Sequence, residues 1–302
     1  MTKFKAWISA ARLRTLPLSL SGIITGTAMA NFWGYENNIL FFLALLTTVG
    51  FQITSNFAND YGDGIKGTDN EHRIGPKRAF QSGALSRIEL KWGIASSIAL
   101  SLVLAFVLIY TAFGSQNLLY IALFGFLGVL SVWAAVTYTV GDAAYGYKGL
   151  GDVFVFVFFG WVAVLGTLFL YTQNLTFSAV LPATGIGLLS AAVLNLNNLR
   201  DHESDKITHK NTLVVKMGYA AATKYHSFLL IGAFVCFLFF VLYSKENYSH
   251  LLPLIAFIPI FLHLRRVMYN RNLSALDPEL KKLALSTFLL SLLFYISFNN
   301  FL

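Results

Sequence analysis

ILFFLALLTTVGFQITSNFA, Ile39 to Ala58, runs twenty residues without an ionisable group and passes directly into NDYGDGIKGTD, Asn59 to Asp69. Twenty residues of helix rise about 30 Å, the thickness of a bilayer's hydrocarbon core. A helix of this kind that ends in Asp60, Asp63 and Asp69 reads as a membrane span delivering carboxylates to the water interface.

The rest of the chain has the same character. Its 302 residues are 56% hydrophobic, 16% aromatic and only 12% charged, with a mean hydropathy of +0.64. A soluble surface needs about a quarter of its residues charged, so soluble two-domain, disordered, collagenous and coiled-coil classes are excluded. Charge-free windows place nine spans: Leu16–Trp33, Ile39–Ala58, Ile94–Phe113, Leu118–Thr139, Val153–Tyr171, Phe177–Leu196, Ser227–Tyr243, His250–Leu264 and Leu283–Phe301. The eighth is short and holds Pro253 and Pro259, which predicts a kink. Cys236 is the single cysteine and has no disulfide partner within the chain. The whole reads as one polytopic membrane domain, residues 1–302.

Nine spans put the N-terminus and the connections after spans two, four, six and eight on one side. That side receives 21 of the 22 Lys and Arg residues, and Lys245 alone lies opposite. The positive-inside rule then expects a cytoplasmic N-terminus and an external C-terminus. Met1 to Arg14 has no cleavage-site pattern, so the first helix is expected to be retained. The net charge of +8 is read as topology signal and attraction to anionic lipid, with no nucleic acid as partner.

Polar chemistry gathers at helix ends. His263, at the end of the eighth span, comes nearest to an ionisable group inside the bilayer, whereas a proton-coupled transporter needs one near the midplane. Asn56, Asn59 or Asp60, and Asp63 repeat at i, i+3 or i+4, and i+7 after the second span; Asn197, Asp201 and Asp205 repeat at i, i+4, i+8 after the sixth. Each set shares one helix face, where stacked carboxylates repel unless a cation joins them. All-oxygen Asp and Asn ligands suit Mg²⁺, completed by water and substrate phosphate, and two faces imply two ions. Lys66, Arg73, Lys77 and Arg78 near the first cluster, and Asn198, Arg200, Lys206 and Lys210 around the second, supply donors of the kind a departing diphosphate needs. Positive-inside loops would carry basic residues in any case.

YTVGDAAYGYKGLGDV, Tyr138 to Val153, joins spans four and five on the same side and adds Lys148. Asp152 is placed to cap the fifth helix. Tyr138, Tyr145 and Tyr147 either face a carbocation or belong to the interfacial aromatic belt. The chain has no GxxxxGK[ST], GxGxxG, HExxH or GxSxG motif. GIITG, Gly22 to Gly26, permits close helix packing.

At NFANDYGDGIKGTD, RIGPKRAFQSG, YGYKGLGDVFVFVFFG and NNLRDHESDKITHKNTLVVKMG the sequence resembles the UbiA superfamily of membrane aromatic prenyltransferases, and within it the branch acting on 1,4-dihydroxy-2-naphthoate. The resemblance spans nearly the whole chain. It implies an all-α fold of two four-helix repeats plus a ninth helix around a central cavity. It also implies transfer of a polyprenyl group from polyprenyl diphosphate to the naphthoate, with release of pyrophosphate and CO₂, in menaquinone biosynthesis. By this resemblance Asn56, Asp60 and Asp63 correspond to the first Mg²⁺ and diphosphate motif, and Asp201 and Asp205 to the second. The rival expectations are prenylation of 4-hydroxybenzoate or homogentisate, and transport of an anionic metabolite.

Overall fold

The computed structural model describes residues 2–69, 74–244, 247–270 and 272–299. Among them all regular structure is helical. A short helix, α1 (Lys3–Ala11), lies before the first span, α2 (Leu16–Phe32). There follow α3 (Asn38–Ile65), α4 (Arg87–Phe113), α5 (Leu118–Thr137), α6 (Gly151–Thr172), α7 (Phe177–Ile207), the five-residue α8 (Leu213–Met217), α9 (Tyr219–Tyr243), α10 (Tyr248–Tyr269) and α11 (Leu273–Phe298). Eight of these, α3 to α7 and α9 to α11, are long and apolar enough to cross a bilayer. The 17-residue α2, free of charged residues, completes the nine that the sequence predicts. Part of the predicted last span, residues 300–301, lies outside the described residues.

The observed helices overrun their apolar windows where the chemistry sits. The α3 helix has 28 residues, about 42 Å of rise, so it outlasts a core of about 30 Å and carries Asp60 and Asp63 beyond it. The α7 helix likewise continues to Ile207 and carries the second cluster. The predicted kink in α10 takes the form of a 3₁₀ segment, Tyr248–Ala256, followed by α-helix from Phe257. Pro253 lies inside the 3₁₀ segment, where the missing N–H removes one rung of the ladder. Asp152 does not cap α6. The helix already begins at Gly151, and Asp152 sits in its first turn with Oδ1 buried and unbonded.

Two packing features position the site. Within α6, Phe156–Val162 is wound as a π-helix. A Cβ on its Gly160 would lie 2.7 Å from both Gly187 Cα and the Ala183 carbonyl of α7, so the crossing requires glycine. Gly22 and Gly26 of α2 meet α6 as closely, with Val164 O at 2.5 Å from a Cβ at Gly26. The second half of the molecule packs around one core: Ile186 and Leu189 of α7, Leu230 and Phe237 of α9, Phe257 of α10, and Leu290 and Phe294 of α11 share it, fully buried. The cavity is off-centre, enclosed by α2 to α6 with only Leu194 contributed by α7.

Candidate active site

The first span enters through an elbow. Arg12 ends α1 in a left-handed conformation, φ 49°, and Leu13–Thr15 forms a 3₁₀ turn before α2. Asn56 of α3 holds this elbow: its Nδ2 donates to Ala11 O at 2.8 Å and Thr15 Oγ1 at 3.1 Å, while its Oδ1 accepts from Gln52 Nε2 at 3.2 Å. The amide expected among the ligands is thus engaged in holding the elbow. One turn on, Asp60 is buried, with neither carboxylate oxygen in a hydrogen bond. Arg12 and Arg78 supply the positive charge nearest to it, and the backbone N–H groups of Ala79 and Phe80 point towards it.

Asp63 is more tightly held. Tyr147 donates its hydroxyl to Oδ1 at 2.8 Å, and Lys210 Nζ approaches the two oxygens at 3.3 and 3.4 Å. Burial opposes the charge on Lys210, but Asp63 and Asp205 outweigh it and hold the ammonium well above the ordinary lysine value. The α7 cluster faces the same space. Asp63, Thr68, Asp69 and Arg78 from one side, with Asn197, Asp201, Ser204, Asp205 and Lys210 from the other, line a cleft of about 30 Å³. Four carboxylates against two cations leave the cleft net negative.

The remaining candidates divide. Asn197 lines the cleft, and Asn198 is buried beside it on α7. Arg78 pairs with Asp69 at 3.8 Å. Arg200 is turned into the protein, onto Asp201, Asn197 and Asp277. Lys66 lies against the Tyr147 ring and donates to Gly141 O at 2.8 Å. Lys77 and Lys148 are exposed and do not line the cleft, and Arg73 lies outside the described residues. Asn59 faces away from the cleft, into the cavity, accepting from Thr139 Oγ1 at 3.3 Å.

That cavity, about 350 Å³, is lined without a single charged residue. Asn59, Gln52 and Tyr138 form one end; Phe51, Phe158 and Phe159 follow; Ile23, Ala44 and Leu170 lie at the other. Tyr138 lines the cavity and lies near enough to Asp63 and Asp205 to feel their charge. Burial first, then those acids, push its phenol far above the ordinary tyrosine value, so it stays neutral. Tyr145 also lines the cavity, but its hydroxyl donates to Ala134 O at 2.8 Å and its ring stacks on Phe154 with centroids 4.0 Å apart. Tyr147, grouped with these two by sequence, does not line the cavity and instead hydrogen-bonds Asp63 and Thr68 of the cleft.

Sequence reading missed Arg12 and Ser204, and it did not separate Tyr147 from its two neighbours. Asp69 closes the quoted NDYGDGIKGTD stretch and carried a signal in that position; Arg12 carried none beyond its charge.

An apolar helical cavity accompanied by a cleft between two acidic helix ends suits a membrane prenyltransferase, and the sequence pattern of the UbiA prenyltransferase family matches residues 19–295, so the chain belongs to that family. It is 43% identical over 295 residues to the 1,4-dihydroxy-2-naphthoate octaprenyltransferase of Haemophilus influenzae, covering 97% of this chain and 95% of that one. To the enzyme of the same name from Escherichia coli it is 42% identical over 294 residues, with the same coverage. The solved structure of a UbiA homologue from Archaeoglobus fulgidus bound to GPP and Mg²⁺ superposes with a TM-score of 0.69 over 99% of this chain and 98% of that one; at 16% identity, this speaks for the fold.

Proposed function

We propose that this chain, as a single polytopic domain of a bacterial inner membrane, transfers a polyprenyl group from polyprenyl diphosphate to 1,4-dihydroxy-2-naphthoate, releasing pyrophosphate and CO₂ and giving demethylmenaquinone. The observation that carries the reading is the pairing of a net-negative cleft with an uncharged cavity, both lined in part by α3. The first suits a diphosphate with its metal, the second a polyprenyl chain and an aromatic ring. The names of the relatives from H. influenzae and E. coli support the choice of acceptor.

The residues present fit Mg²⁺. Asp60 keeps two buried oxygens without hydrogen bonds, and the cleft has more carboxylates than cations. Among the described residues no three His, Cys, Asp or Glu side chains form a ready-made cage. Mg²⁺ is commonly held by one or two carboxylates and finished by water and phosphate, so a half-built site suits it. Asp60 and Asp63 would hold one ion, Asp201 and Asp205 a second. When bound, the ions neutralise the diphosphate and favour its departure.

The chain's own groups do the rest. Arg12, Arg78 and Lys210 offset the charge that grows on the leaving pyrophosphate. The uncharged cavity keeps water from the allylic cation, and the face of Tyr138 offers it an electron-rich ring. The acceptor carbon bears the carboxylate; once it bonds to the prenyl C1, the C–CO₂ bond breaks, its electron pair restores the aromatic ring and CO₂ leaves.

The test is turnover of carboxyl-labelled dihydroxynaphthoate by the purified protein with several prenyl diphosphates. Label leaving as CO₂ in step with pyrophosphate, only with Mg²⁺, is the expected result. Prenylation of 4-hydroxybenzoate with no turnover of the naphthoate would replace the acceptor while keeping the chemistry. Uptake of an anion without pyrophosphate release would overturn the reading.

A further inference from the structure

The connections after α3, α5 and α7 meet at one side chain, Tyr147. Its hydroxyl donates to Asp63 Oδ1 at 2.8 Å and shares a 2.5 Å hydrogen bond with Thr68 Oγ1. Its ring centroid lies 4.1 Å from Lys66 Nζ, which belongs to the first connection, and 5.2 Å from Lys210 Nζ, which belongs to the third. Two ammonium groups around one ring repel each other, and partial burial already depresses the Lys66 ammonium. The electron-rich face of a phenol is attractive to both, so the ring lets them stay close.

Asp63 draws on the same residue. Of its donors, Tyr147 is neutral and Lys210 charged. With the hydroxyl removed, the carboxylate would lean more heavily on Lys210, and an ammonium locked to Asp63 is withheld from a phosphate oxygen.

We propose that Tyr147 is a positioning residue for the diphosphate end of the site: its ring keeps Lys66 and Lys210 together as a pair of cations for pyrophosphate, and its hydroxyl holds Asp63 ready for metal without binding Lys210 tightly. The proposal rests on the prenyl-transfer reading above. It gives the two halves of one side chain separable effects.

Tyr147→Phe keeps the ring and loses the hydroxyl; Tyr147→Leu loses both. Two readouts apply to the full-length purified protein: the Mg²⁺ dependence of turnover, and calorimetric binding of inorganic pyrophosphate in the presence of Mg²⁺, which needs no catalysis. Tyr147→Phe is expected to raise the Mg²⁺ needed for half-maximal activity roughly tenfold, as befits one hydrogen bond to a charged group, with kcat at saturating Mg²⁺ nearly unchanged. Tyr147→Leu should in addition weaken pyrophosphate binding about tenfold or more, because neither ammonium then has an aromatic face to lie against. The KM for the naphthoate should move in neither. Variants that match wild type in both Mg²⁺ dependence and pyrophosphate affinity would overturn the proposal, as would a uniform fall in kcat tracking a lowered unfolding temperature. A wild type that neither turned over nor bound magnesium pyrophosphate would instead bring down the functional reading, and the proposal with it.

Discussion

Arg200 and Asp201, consecutive on α7, face each other fork to fork: Nε and one terminal nitrogen of the guanidinium donate to the two carboxylate oxygens at 2.8 and 2.6 Å. The other terminal nitrogen reaches Asp277 at the start of α11 at 2.5 Å. The arginine therefore ties the second acidic helix to the last span, and Asp201 stands neutralised from behind while its helix lines the cleft. Arg200→Gln is expected to cost roughly 3 kcal/mol of stability, because a buried carboxylate loses its partner. Arg200→Lys should recover little, since a point charge cannot reproduce the fork. Unfolding in detergent would measure both, and an unchanged midpoint for Arg200→Gln would refute the clamp.

Asp60→Asn removes one negative charge from the site while leaving shape and packing alone. Turnover should fall at least about 100-fold, and unfolding should move by no more than about 1 kcal/mol. Near wild-type activity in this variant would remove Asp60 from the proposed metal pair.

Chelation by EDTA should abolish pyrophosphate release, and added Mg²⁺ should restore it. With two ions in the site, activity should rise more steeply than first order in Mg²⁺ at low concentration. A simple hyperbola across the whole range would argue for one.

Gly160→Ala and Gly166→Ala form a matched pair. The first places a methyl 2.7 Å from backbone atoms of α7 and is expected to cost about 2 kcal/mol. The second meets only Phe124 at 3.9 Å and should be tolerated. Equal yields and unfolding temperatures would mean the crossing has more slack than its geometry allows.

Fusion reporters should place the N-terminus in the cytoplasm and the C-terminus outside, following the division of basic residues. Both termini on one side would exclude an odd number of spans.

The spans were legible because the bilayer imposes composition directly, and the two acidic clusters because spacing along one helix is a local property. Partnership was not. Arg200 reads as a phosphate-binding guanidinium until folding brings in Asp277, 77 residues away. Asn56 has a ligand's spacing, yet an N-terminal elbow that no pattern announces occupies its amide. Tyr138, Tyr145 and Tyr147 look equivalent within ten residues of loop; only the tertiary path sends two rings to the cavity wall and one to Asp63. The α6 boundary moved for a smaller reason: the helix begins a residue before Asp152, which leaves that acid inside the first turn rather than ahead of it.

The off-centre cavity has a consequence for how the sequence can change over time. Lining residues such as Phe51, Phe158 and Leu170 border open space, so exchanging them alters what fits there while the fold stands. Phe237, Phe257 and Phe294 touch only one another and their neighbours, and exchange there opens a void that nothing replaces. Descendants of this chain that adapt to longer or shorter tails should therefore differ mainly in α2 to α6, with α9 to α11 drifting only within the volume they already occupy.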